Sequence, residues 1–335
     1  MKHANVAIFV PHNGCPHTCS FCNQKCITGQ KVQPTAQDVR QAVAIAKESL
    51  GEESKQAEIA FFGGSFTAIE RSYMISLLEA AFPFVEDGTF SGIRISTRPD
   101  CIDTDILELL KQYGVTAIEL GAQSMDDRVL SMNGRGHTAK QVEDAAKQIH
   151  SYHFALGLQM MTGLYGDTAQ GSIETARKLA ALHPENVRIY PTIIMRNTEL
   201  GERYRNGEYQ TLTLDETVAL CARLLDYFEE QGIAVIRLGL HSSPELQQDM
   251  LAGPWHPAFR ELCESARVLQ KIIQYVTEHQ VAKGNLLIKV NPKMLSKALG
   301  QKKSNLKALQ ERGYPTTMVQ DDGVEGNRFT IEQRR

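Results

Sequence analysis

The sequence has no apolar run of about 18 residues, so it predicts no membrane-spanning helix. Its first stretch, MKHANVAIFVPHNG, contains an apolar core of only six residues, which is too short for the hydrophobic region of a signal peptide. Both absences predict a protein that stays in the cytoplasm and enters no membrane. The formal net charge of −3 excludes a chain that is basic throughout, although a local basic patch is compatible with it.

Cysteine is scarce, and its distribution is uneven. The chain has seven cysteines, and four of them fall between residues 15 and 26, in the stretch GCPHTCSFCNQKC. A chain of 335 residues buries a sizeable core without disulfide staples. In the cytoplasm, clustered cysteines act as metal ligands or redox groups rather than as structural disulfides. The cluster is therefore the first candidate site, and Cys101, Cys221 and Cys263 are expected to be ordinary thiols.

Short apolar runs rich in β-branched residues alternate with helical patterns along most of the chain. The runs are Val6–Val10, Glu58–Phe62, Ile93–Thr97, Ala117–Leu120, Ala155–Met160, Val187–Ile194 and Ala234–Leu238. The helical patterns are Thr35–Leu50, Ser72–Phe84, Thr104–Tyr113, Ala139–Tyr152, Ser172–Leu182 and Asp215–Gln231. This alternation predicts parallel βαβ units. Their number over about 240 residues favours a partial TIM-like (β/α)6 barrel over a small flavodoxin-like sheet.

The pattern changes near residue 240. We expect an α/β barrel domain over residues 1–240 and a small α+β extension over residues 241–335, a candidate segment for binding substrate or RNA. The extension contains a predicted helix, Phe259–His279, and an apolar run, Leu286–Val290. A Lys-rich helix is predicted for the segment PKMLSKALGQKKSNLKALQERG that follows.

The spacing Cys15-x3-Cys19-x2-Cys22 suits three irons of a [4Fe–4S] cube, because such clusters are held by cysteine thiolates. The fourth iron would then have an open position. A structural zinc site that also uses Cys26 or His17 fits the local sequence as well. A ferredoxin-type cluster through Cys26 fits less well, since the usual C-x2-C start and closing Pro are absent. Chance clustering of buried thiols is the remaining alternative.

Phe21 stands directly before the third cysteine, and the cluster follows the first predicted strand of a barrel. This pattern resembles the radical S-adenosylmethionine (SAM) superfamily. The resemblance implies that Cys15, Cys19 and Cys22 hold a [4Fe–4S] cluster, that Phe21 lies at the cofactor, and that Cys26 has no assigned role. It also implies reductive cleavage of SAM to methionine and a 5′-deoxyadenosyl radical, which abstracts a hydrogen atom. A flavodoxin or ferredoxin would supply the electron.

The second and third strands end in further segments that the resemblance interprets. Gly63-Gly64 stands where the superfamily typically has Gly-Gly-Glu and would hold the methionine amino group of SAM; here Ser65 replaces the Glu. Ser96 stands where many relatives have a Glu that contacts the ribose. Arg98-Pro99-Asp100 is interpreted either as part of the site or as a turn in which Asp100 caps the next helix.

The fourth strand runs into the segment ELGAQSMDDRVLSMNGRGHT. By resemblance, Gln123 contacts the cofactor and Arg135 pairs with the SAM carboxylate, to which a planar guanidinium offers two parallel bonds. We expect His137 to have a packing or capping role. Met160 and Met161 are expected to belong to the core.

The order of the segments GGSFT, STRPD, LGAQS…GRGHT and RIYPT resembles the radical SAM domain of the catalytic subunit of Elongator, which modifies the wobble uridine of tRNA. The resemblance covers about residues 3–240 and implies a stand-alone relative without the acetyltransferase domain. It also implies a tRNA substrate. Tyr190 would line the substrate pocket or pack in the barrel, and Lys293, Lys302 and Lys303 would contact phosphates or form a solvated face.

Two other functions remain open at this point. Oxygen-independent coproporphyrinogen oxidases share the Gln-Ser and Arg-Gly segments but lack the IYPT block, so an enzyme acting on a small molecule ranks second. A non-enzymatic zinc or iron–sulfur binding module ranks third. A steep dependence of tRNA affinity on salt would separate the first function from the second, and absence of SAM cleavage would favour the third.

Overall fold

The computed structural model of the chain describes residues 4–11, 15, 19–23, 32–240 and 243–334. The chain divides into two compact units. Unit 1 consists of Met1–Leu212 and Phe228–Pro254, and unit 2 consists of Thr213–Tyr227 and Trp255–Arg335. The division into functional domains at residue 240 stays a prediction.

Seven parallel strands form the main sheet of unit 1, in the order β1-β2-β3-β4-β5-β6-β8. Their bounds are β1 Asn5–Val10, β2 Glu58–Gly63, β3 Gly92–Thr97, β4 Val115–Gln123, β5 Ala155–Thr162, β6 Asn186–Pro191 and β8 Ala234–Leu238. A short antiparallel pair, β7 Ile194–Met195 and β9 Met250–Ala252, accompanies the sheet. Each of the seven apolar runs overlaps one of these strands, and the run Val187–Ile194 extends past the end of β6 into β7, which confirms the predicted α/β class.

Helices follow most of these strands along the chain. Their bounds are α1 Ala36–Leu50, α2 Arg71–Ala81, α3 Pro83–Glu86, α4 Thr104–Gln112, α5 Asp127–Met132, α6 Ala139–Ser151, α7 Ala169–Ala180, α8 Glu199–Arg205, α9 Leu214–Glu230 and α10 Pro244–Asp249. The single helix predicted over residues 72–84 is wrong. The structure has α2 and α3 there, because Pro83 has no N–H to continue the ladder and begins a new helix.

Local sequence signals set several helix ends. The Thr35 hydroxyl accepts a bond from the Asp38 N–H, and the Asp38 carboxylate accepts one from the Thr35 N–H at 2.7 Å, so the two residues form a capping box. Gly51, Gly114 and Gly232 follow helix ends with φ angles of 54°, 70° and 72°. A glycine reaches this left-handed region without a Cβ penalty, which is why it commonly ends helices.

Unit 2 has a three-stranded sheet in the order β11-β10-β12, with bounds β10 Leu286–Val290, β11 Thr316–Gln320 and β12 Phe329–Gln333. The central strand β10 pairs with β11 in parallel and with β12 antiparallel. Helix α11, Phe259–Glu278, packs Val268, Ile272 and Val276 against Leu286 and Ile288 of β10. The predicted α+β character of this region and the positions of α11 and β10 are confirmed.

The single Lys-rich helix predicted for this unit is wrong. The structure has two short helices, α12 Leu295–Leu299 and α13 Ser304–Glu311, joined by Gly300–Lys303. Gly300 has a φ of 75°, and a Cβ on it would lie 2.4 Å from Ser304 Oγ. The Asn305 amide donates to the Ala298 carbonyl at 3.0 Å, so it occupies an acceptor that a continuous helix would use. Local side-chain bonds of this kind compete with helical ones.

Among the described residues, none of the helices combines the length and apolar character that a bilayer crossing requires.

Buried charges tie the strands of the main sheet together. Arg94 on β3 donates from Nε to Glu58 Oε2 at 2.6 Å, and its Nη1 lies 3.5 Å from Glu119 Oε1 on β4. Arg188 on β6 donates from Nη2 to the same Glu119 oxygen at 2.7 Å. Glu119 is only 1% exposed. Charges buried to this degree need partners, because desolvation costs several kcal/mol per ion.

We predict that Arg94→Met lowers the free energy of unfolding by about 3–5 kcal/mol, because it leaves buried carboxylates without their shared cation. Urea denaturation followed by circular dichroism measures the change. The control is Lys55→Met, which removes an exposed pair with Glu52 at 2.6 Å and should leave the urea midpoint unchanged. Equal effects of the two substitutions would contradict a special role for the buried network.

Candidate active site

A cavity of about 660 Å³ in unit 1 is lined by residues within the strands of the main sheet and at their carboxyl ends. Parallel strands bring these ends to the same edge of a sheet, where the active sites of barrel enzymes lie. The lining includes all ten barrel residues that the sequence singled out as site residues: Cys15, Cys19, Phe21, Cys22, Gly63, Gly64, Ser96, Gln123, Arg135 and Tyr190. Lys293, Lys302 and Lys303 belong to unit 2.

The three spaced cysteines face this cavity with different exposure. Cys19 is buried, Cys22 is half-buried and Cys15 is exposed. Among the described residues, no group of three His, Cys, Asp or Glu side chains surrounds one point as ligands of a single metal ion do. In a [4Fe–4S] cube each cysteine ligates its own iron, so the sulfurs need not meet at one point. Cys26 and His17, on which the zinc alternative depends, lie outside the described residues.

Arg135 joins the cysteine segment to the end of β4. Its Nη1 donates to Cys19 Sγ at 3.1 Å, and its Nη2 donates to the Gly121 carbonyl at 2.6 Å. The side chain is buried, and its Nε donates to no described residue. An arginine in this position places positive charge directly beside the Cys19 sulfur and keeps one further donor for a ligand.

Arg98 binds both Asp100 and the backbone of Arg135. It forms two parallel bonds with Asp100, at 2.8 and 2.9 Å, and its Nη2 also donates to the Arg135 carbonyl. Burial opposes the charge on Asp100, but the bonds and charge of Arg98 outweigh it and keep the pKa of Asp100 below its usual value. Asp100 therefore does not cap the next helix. The cap of α4 is Asp103, whose carboxylate accepts from the Ile106 N–H at 2.8 Å.

Gln123 ends β4 with a φ of 67°, and the β4–β5 ladder shifts register between Gly121 and Gln123. A left-handed conformation is unusual for a residue with a side chain and indicates a local constraint. The Gln123 Oε1 atom is buried and accepts no hydrogen bond from the described residues. Since buried polar atoms normally have partners, this oxygen is suited to accept a bond from a bound molecule.

His137 lies behind this strand end rather than in the cavity lining. Its Nε2 donates to the Ala122 carbonyl at 3.2 Å, which holds the backbone next to Gln123. Burial, together with the nearby charge of Arg135, lowers the pKa of His137 to about 4. The imidazole is therefore neutral near pH 7, as a packing and positioning role requires.

Gly63 and Gly64 form a tight turn between β2 and the cavity. Gly63 has a φ of 117°, and a Cβ on it would lie 2.8 Å from the Val10 carbonyl oxygen. The Gly64 N–H donates to that same oxygen at 3.0 Å. Only glycine fits at residue 63, so the turn exposes backbone rather than side chain to the cavity. Ser65 is buried, and its Oγ lies 3.7 Å from Cys15 Sγ.

The inner end of the cavity is polar. Glu119 faces Ser96, its register partner on β3, with 3.5 Å between Oε2 and Oγ, and it accepts a bond from Gln159 Nε2 at 3.2 Å. The Arg188 guanidinium lies 4.9 Å from the centre of the Phe62 ring, within the range of a cation–π contact.

Tyr190 and Arg237 complete this inner end. Burial raises the pKa of Tyr190 against the opposing charge of Arg188, so the side chain is a neutral phenol at pH 7. Arg237 donates from Nε to the Gly239 carbonyl at 3.1 Å. Among the described residues, no carboxylate lies within ion-pair distance of Arg237.

Sequence reasoning missed four polar residues of the cavity: Glu119, Gln159, Arg188 and Arg237. Each interrupts an apolar strand with a charged or amide side chain. Because neighbouring residues of a strand point to opposite faces, a polar residue between buried apolar ones indicates a polar interior face. That signal was present in the sequence.

Two of the other cysteines, Cys101 and Cys263, have thiols with raised pKa values. Burial raises the pKa of Cys101 to about 11. The hydrogen bond between Cys263 and Cys221, together with burial, raises the pKa of Cys263 in unit 2. High pKa values keep thiols protonated and poorly reactive, as expected for ordinary thiols.

Comparisons with known proteins agree with this geometry. The model of the radical SAM superfamily matches residues 9–179, and the model of the radical SAM C-terminal domain matches residues 184–269. An uncharacterized protein of Methanocaldococcus jannaschii, MJ0486, is 27% identical over 242 residues, which cover 71% of each chain.

Two groups of similar proteins have names that describe a function. Human Elongator complex protein 3 is 30% identical over 197 residues, which cover 52% of this chain and 36% of that protein. The tRNA uridine(34) acetyltransferase of Dehalococcoides mccartyi is 22% identical over 237 residues, which cover 61% and 52%. This chain therefore matches only about a third to a half of the length of these two relatives.

Solved structures show the same fold. The archaeal Elp3 of Methanocaldococcus infernus, with an N-terminal deletion, has a TM-score of 0.60 and 18% identity over 84% of this chain and 64% of that chain. SuiB of Streptococcus suis, bound to its precursor peptide, has a TM-score of 0.51 and 14% identity over 73% and 50%. The predicted partial TIM-like barrel is confirmed.

We predict that the free energy of unfolding falls as the pH decreases from about 6.5 to about 4, and that His137 carries part of this fall. In this window the unfolded chain binds a proton at residue 137 that the folded chain excludes, because its folded pKa is about 4. The facing charges are Arg135 and Arg98, which oppose protonation, and Asp100, which favours it. The contribution reaches about 3 kcal/mol at 1.36 kcal/mol per pKa unit.

Urea denaturation across this pH range measures the slope in the native chain and in His137→Gln, which keeps a donor for the Ala122 carbonyl but does not titrate. The slope should become shallower in this variant. His183→Asn is the control, because His183 is exposed and its φ of 52° is one that Asn tolerates. A slope that is identical in all three proteins would rule out His137 as the titrating group.

Proposed function

This chain belongs to the radical SAM superfamily, and we propose that it binds a [4Fe–4S] cluster and SAM in the cavity of unit 1 and modifies an RNA, with tRNA as the expected substrate. The observation that carries the proposal is the convergence of Cys15, Cys19 and Cys22 with Gln123 and Arg135 on one cavity. The chain is a radical SAM enzyme; the cofactors, the substrate and the residue roles are what we propose.

The side chains present fit these cofactors. Three thiols supply the sulfur donors that iron–sulfur clusters require. The orphaned Gln123 Oε1 and the spare Arg135 Nε offer one acceptor and one donor to a polar ligand. The Gly63–Gly64 turn lets a ligand approach the backbone, whose carbonyls can accept bonds from an ammonium group.

When bound, the two cofactors supply one-electron cleavage of SAM and a carbon radical that abstracts a hydrogen atom from the substrate. The residues of the chain bind, orient and protect these groups. Phe9, Phe21 and Phe62 provide apolar walls that exclude water, and the Ser96 hydroxyl offers a bond to a cofactor hydroxyl. An external one-electron donor, of the flavodoxin or ferredoxin type, completes the proposed system.

Arg135 acts on the cluster segment through Cys19. Its N–H donates to the Cys19 sulfur, and hydrogen bonds to ligating sulfurs are among the factors that set the reduction potential of such clusters. We propose that Arg135 makes the reduced state easier to reach, since a positive donor stabilises the added negative charge. Arg98 and Asp100 are positioning residues, because they hold the Arg135 backbone.

The inner end of the cavity is the proposed contact region for the reacting part of the substrate. Tyr190 offers a neutral hydroxyl, and Arg188 and Arg237 offer guanidinium groups. Support for RNA as the substrate comes from the names of the Elongator and tRNA uridine(34) acetyltransferase relatives. Lys293, Lys302 and Lys303 of unit 2 remain candidate contacts for its phosphates.

We predict that the protein, reconstituted with iron and sulfide without oxygen and reduced with dithionite, converts SAM to 5′-deoxyadenosine in the presence of a total tRNA pool. Cys19→Ala should lose both iron and product, because it removes one sulfur donor. Cys221→Ala, whose thiol lies in unit 2, should keep both. Chromatography of the reaction and metal analysis of each sample give the readouts.

Mass spectrometry of nucleosides from the same tRNA pool tests the substrate. A SAM-dependent change in one nucleoside supports RNA modification. Iron loading without any 5′-deoxyadenosine would overturn the proposed activity and favour a non-enzymatic module. Product formation without any change in the tRNA would point to a small-molecule substrate instead.

We predict that Arg135→Met shifts the reduction potential of the cluster to a more negative value, because the variant lacks the N–H bond to the Cys19 sulfur. A redox titration followed by electron paramagnetic resonance measures the potential. Arg128→Met is the control, since Arg128 is exposed and contacts Met132 and Gly166. If the potential is unchanged and only the Kd for SAM rises, Arg135 acts on the SAM carboxylate rather than on the cluster.

A further inference from the structure

Unit 2 contains a pair of helices between two parallel strands. The chain runs from β10 through α12 and α13 to β11, which lies beside β10 in the sheet. The loop between the two helices has four residues, Gly300-Gln301-Lys302-Lys303, and is called the basic loop below. Residues 270–335 lie outside both family matches, so the barrel family does not account for this arrangement.

One buried side chain, that of Asn305, holds the ends of the segments that flank the basic loop. The Asn305 amide donates to the carbonyls of Ser265 and Ala298 at 3.0 Å each and lies 3.4 Å from that of Lys297. Gly300 starts the loop where a side chain would collide with Ser304 Oγ. The loop is therefore held at its base, while its two lysines are exposed.

Lys302 and Lys303 both have left-handed backbones, with φ angles of 52° and 62°. This conformation is routine for glycine and uncommon for lysine. The chain thus places two charged side chains at positions where glycine would fit with less strain. A turn alone would not require lysine at these two positions.

The charge around the basic loop is strongly positive. Residues 292–312 include six basic residues and one acidic residue, in a chain whose formal net charge is −3. Lys289 and Lys297 are neutralised by Glu332 at 2.6 Å and by Glu264 at 3.3 Å. In the part of the chain that the structure describes, no carboxylate lies within ion-pair distance of Lys302 or Lys303.

We propose that the basic loop binds the sugar–phosphate backbone of single-stranded RNA. KH domains clamp four nucleotides of a single strand with a Gly-x-x-Gly loop. Here a four-residue loop between two helices begins with glycine in the same way, and lysines provide charge for the phosphates. The inference rests on the proposed function in one respect, namely that the substrate of this chain is an RNA.

A single strand fits this loop better than a duplex does. Double-stranded RNA is bound across about 16 base pairs by domains that contact two successive minor grooves. The basic loop is only four residues long, so its contacts span a few nucleotides of one strand.

The test measures binding of the full-length protein to a fluorescent 10-nucleotide oligoribonucleotide by anisotropy over a range of salt concentrations. Lys302→Gly/Lys303→Gly removes both charges and relieves the left-handed strain. We expect its affinity to fall by about one order of magnitude and the slope of log K against log salt to shrink by about 1.4, or about 0.7 for each lost phosphate contact. Its thermal midpoint should not fall.

Lys283→Gln/Arg312→Gln is the matched control. It removes the same net charge from the opposite end of α13, about 12 Å away along a helix of eight residues. Its affinity and salt slope should change far less than those of the loop variant, because these two charges lie away from the basic loop. Lys302→Gln/Lys303→Gln removes only the charges and keeps the test valid if the glycine variant is less stable.

The outcomes separate this proposal from the proposed function. The proposal is overturned if the loop variants bind the oligoribonucleotide with the same affinity as the control variant. It is also overturned if the native protein binds the oligoribonucleotide, its DNA counterpart and an RNA duplex with equal affinity. An absence of binding overturns it as well. If SAM cleavage by the native protein is nevertheless observed, the proposed function stands without the basic loop. Loop-dependent RNA binding without any SAM cleavage supports the loop and overturns the proposed function.

Discussion

Parallel pairing of the strands is the constraint on which the rest of unit 1 depends. Because β1 to β6 and β8 all run in one direction, segments that are far apart in sequence end at one edge of the sheet. Cys15, Cys19 and Cys22 line one cavity there together with the Gly63–Gly64 turn and Gln123, although these parts lie far apart in sequence. The charged residues inside the sheet hold these strands together, since Glu119 bonds to side chains of β3, β5 and β6 at once.

Most of the fold could be predicted from the sequence, because strands and helices of a barrel alternate with clear periodicity. The site was readable in part. Glycines and cysteines mark their own positions, since few other residues can replace them at a tight turn or a metal. Arg188 and Arg237 were not predicted as site residues, because a charged residue within an apolar run is usually interpreted as an exposed one. The structure shows that Arg188 bonds to Glu119 inside the sheet, at 2.7 Å from Nη2 to Oε1.

The errors in the helix predictions have a common physical origin. The segment around Lys302 has the composition of a helix, and periodicity alone therefore continues it. The structure interrupts it because Gly300 and Asn305 together satisfy the last carbonyls of α12 in another way. Pro83 interrupts the predicted helix of residues 72–84 for a simpler reason, the missing N–H. In both places one or two residues with special hydrogen-bonding or backbone properties outweigh many with ordinary helix propensity.

The left-handed backbone of Gln123 has a consequence for the evolution of the protein. A side chain in that conformation costs roughly 1–2 kcal/mol, which a glycine would recover. A laboratory selection for heat resistance alone would therefore favour glycine at residue 123, and with it the loss of the amide that faces the cavity. Stability and activity often oppose each other in this manner. Persistence of glutamine there under such a selection would mean that the amide itself is under selection.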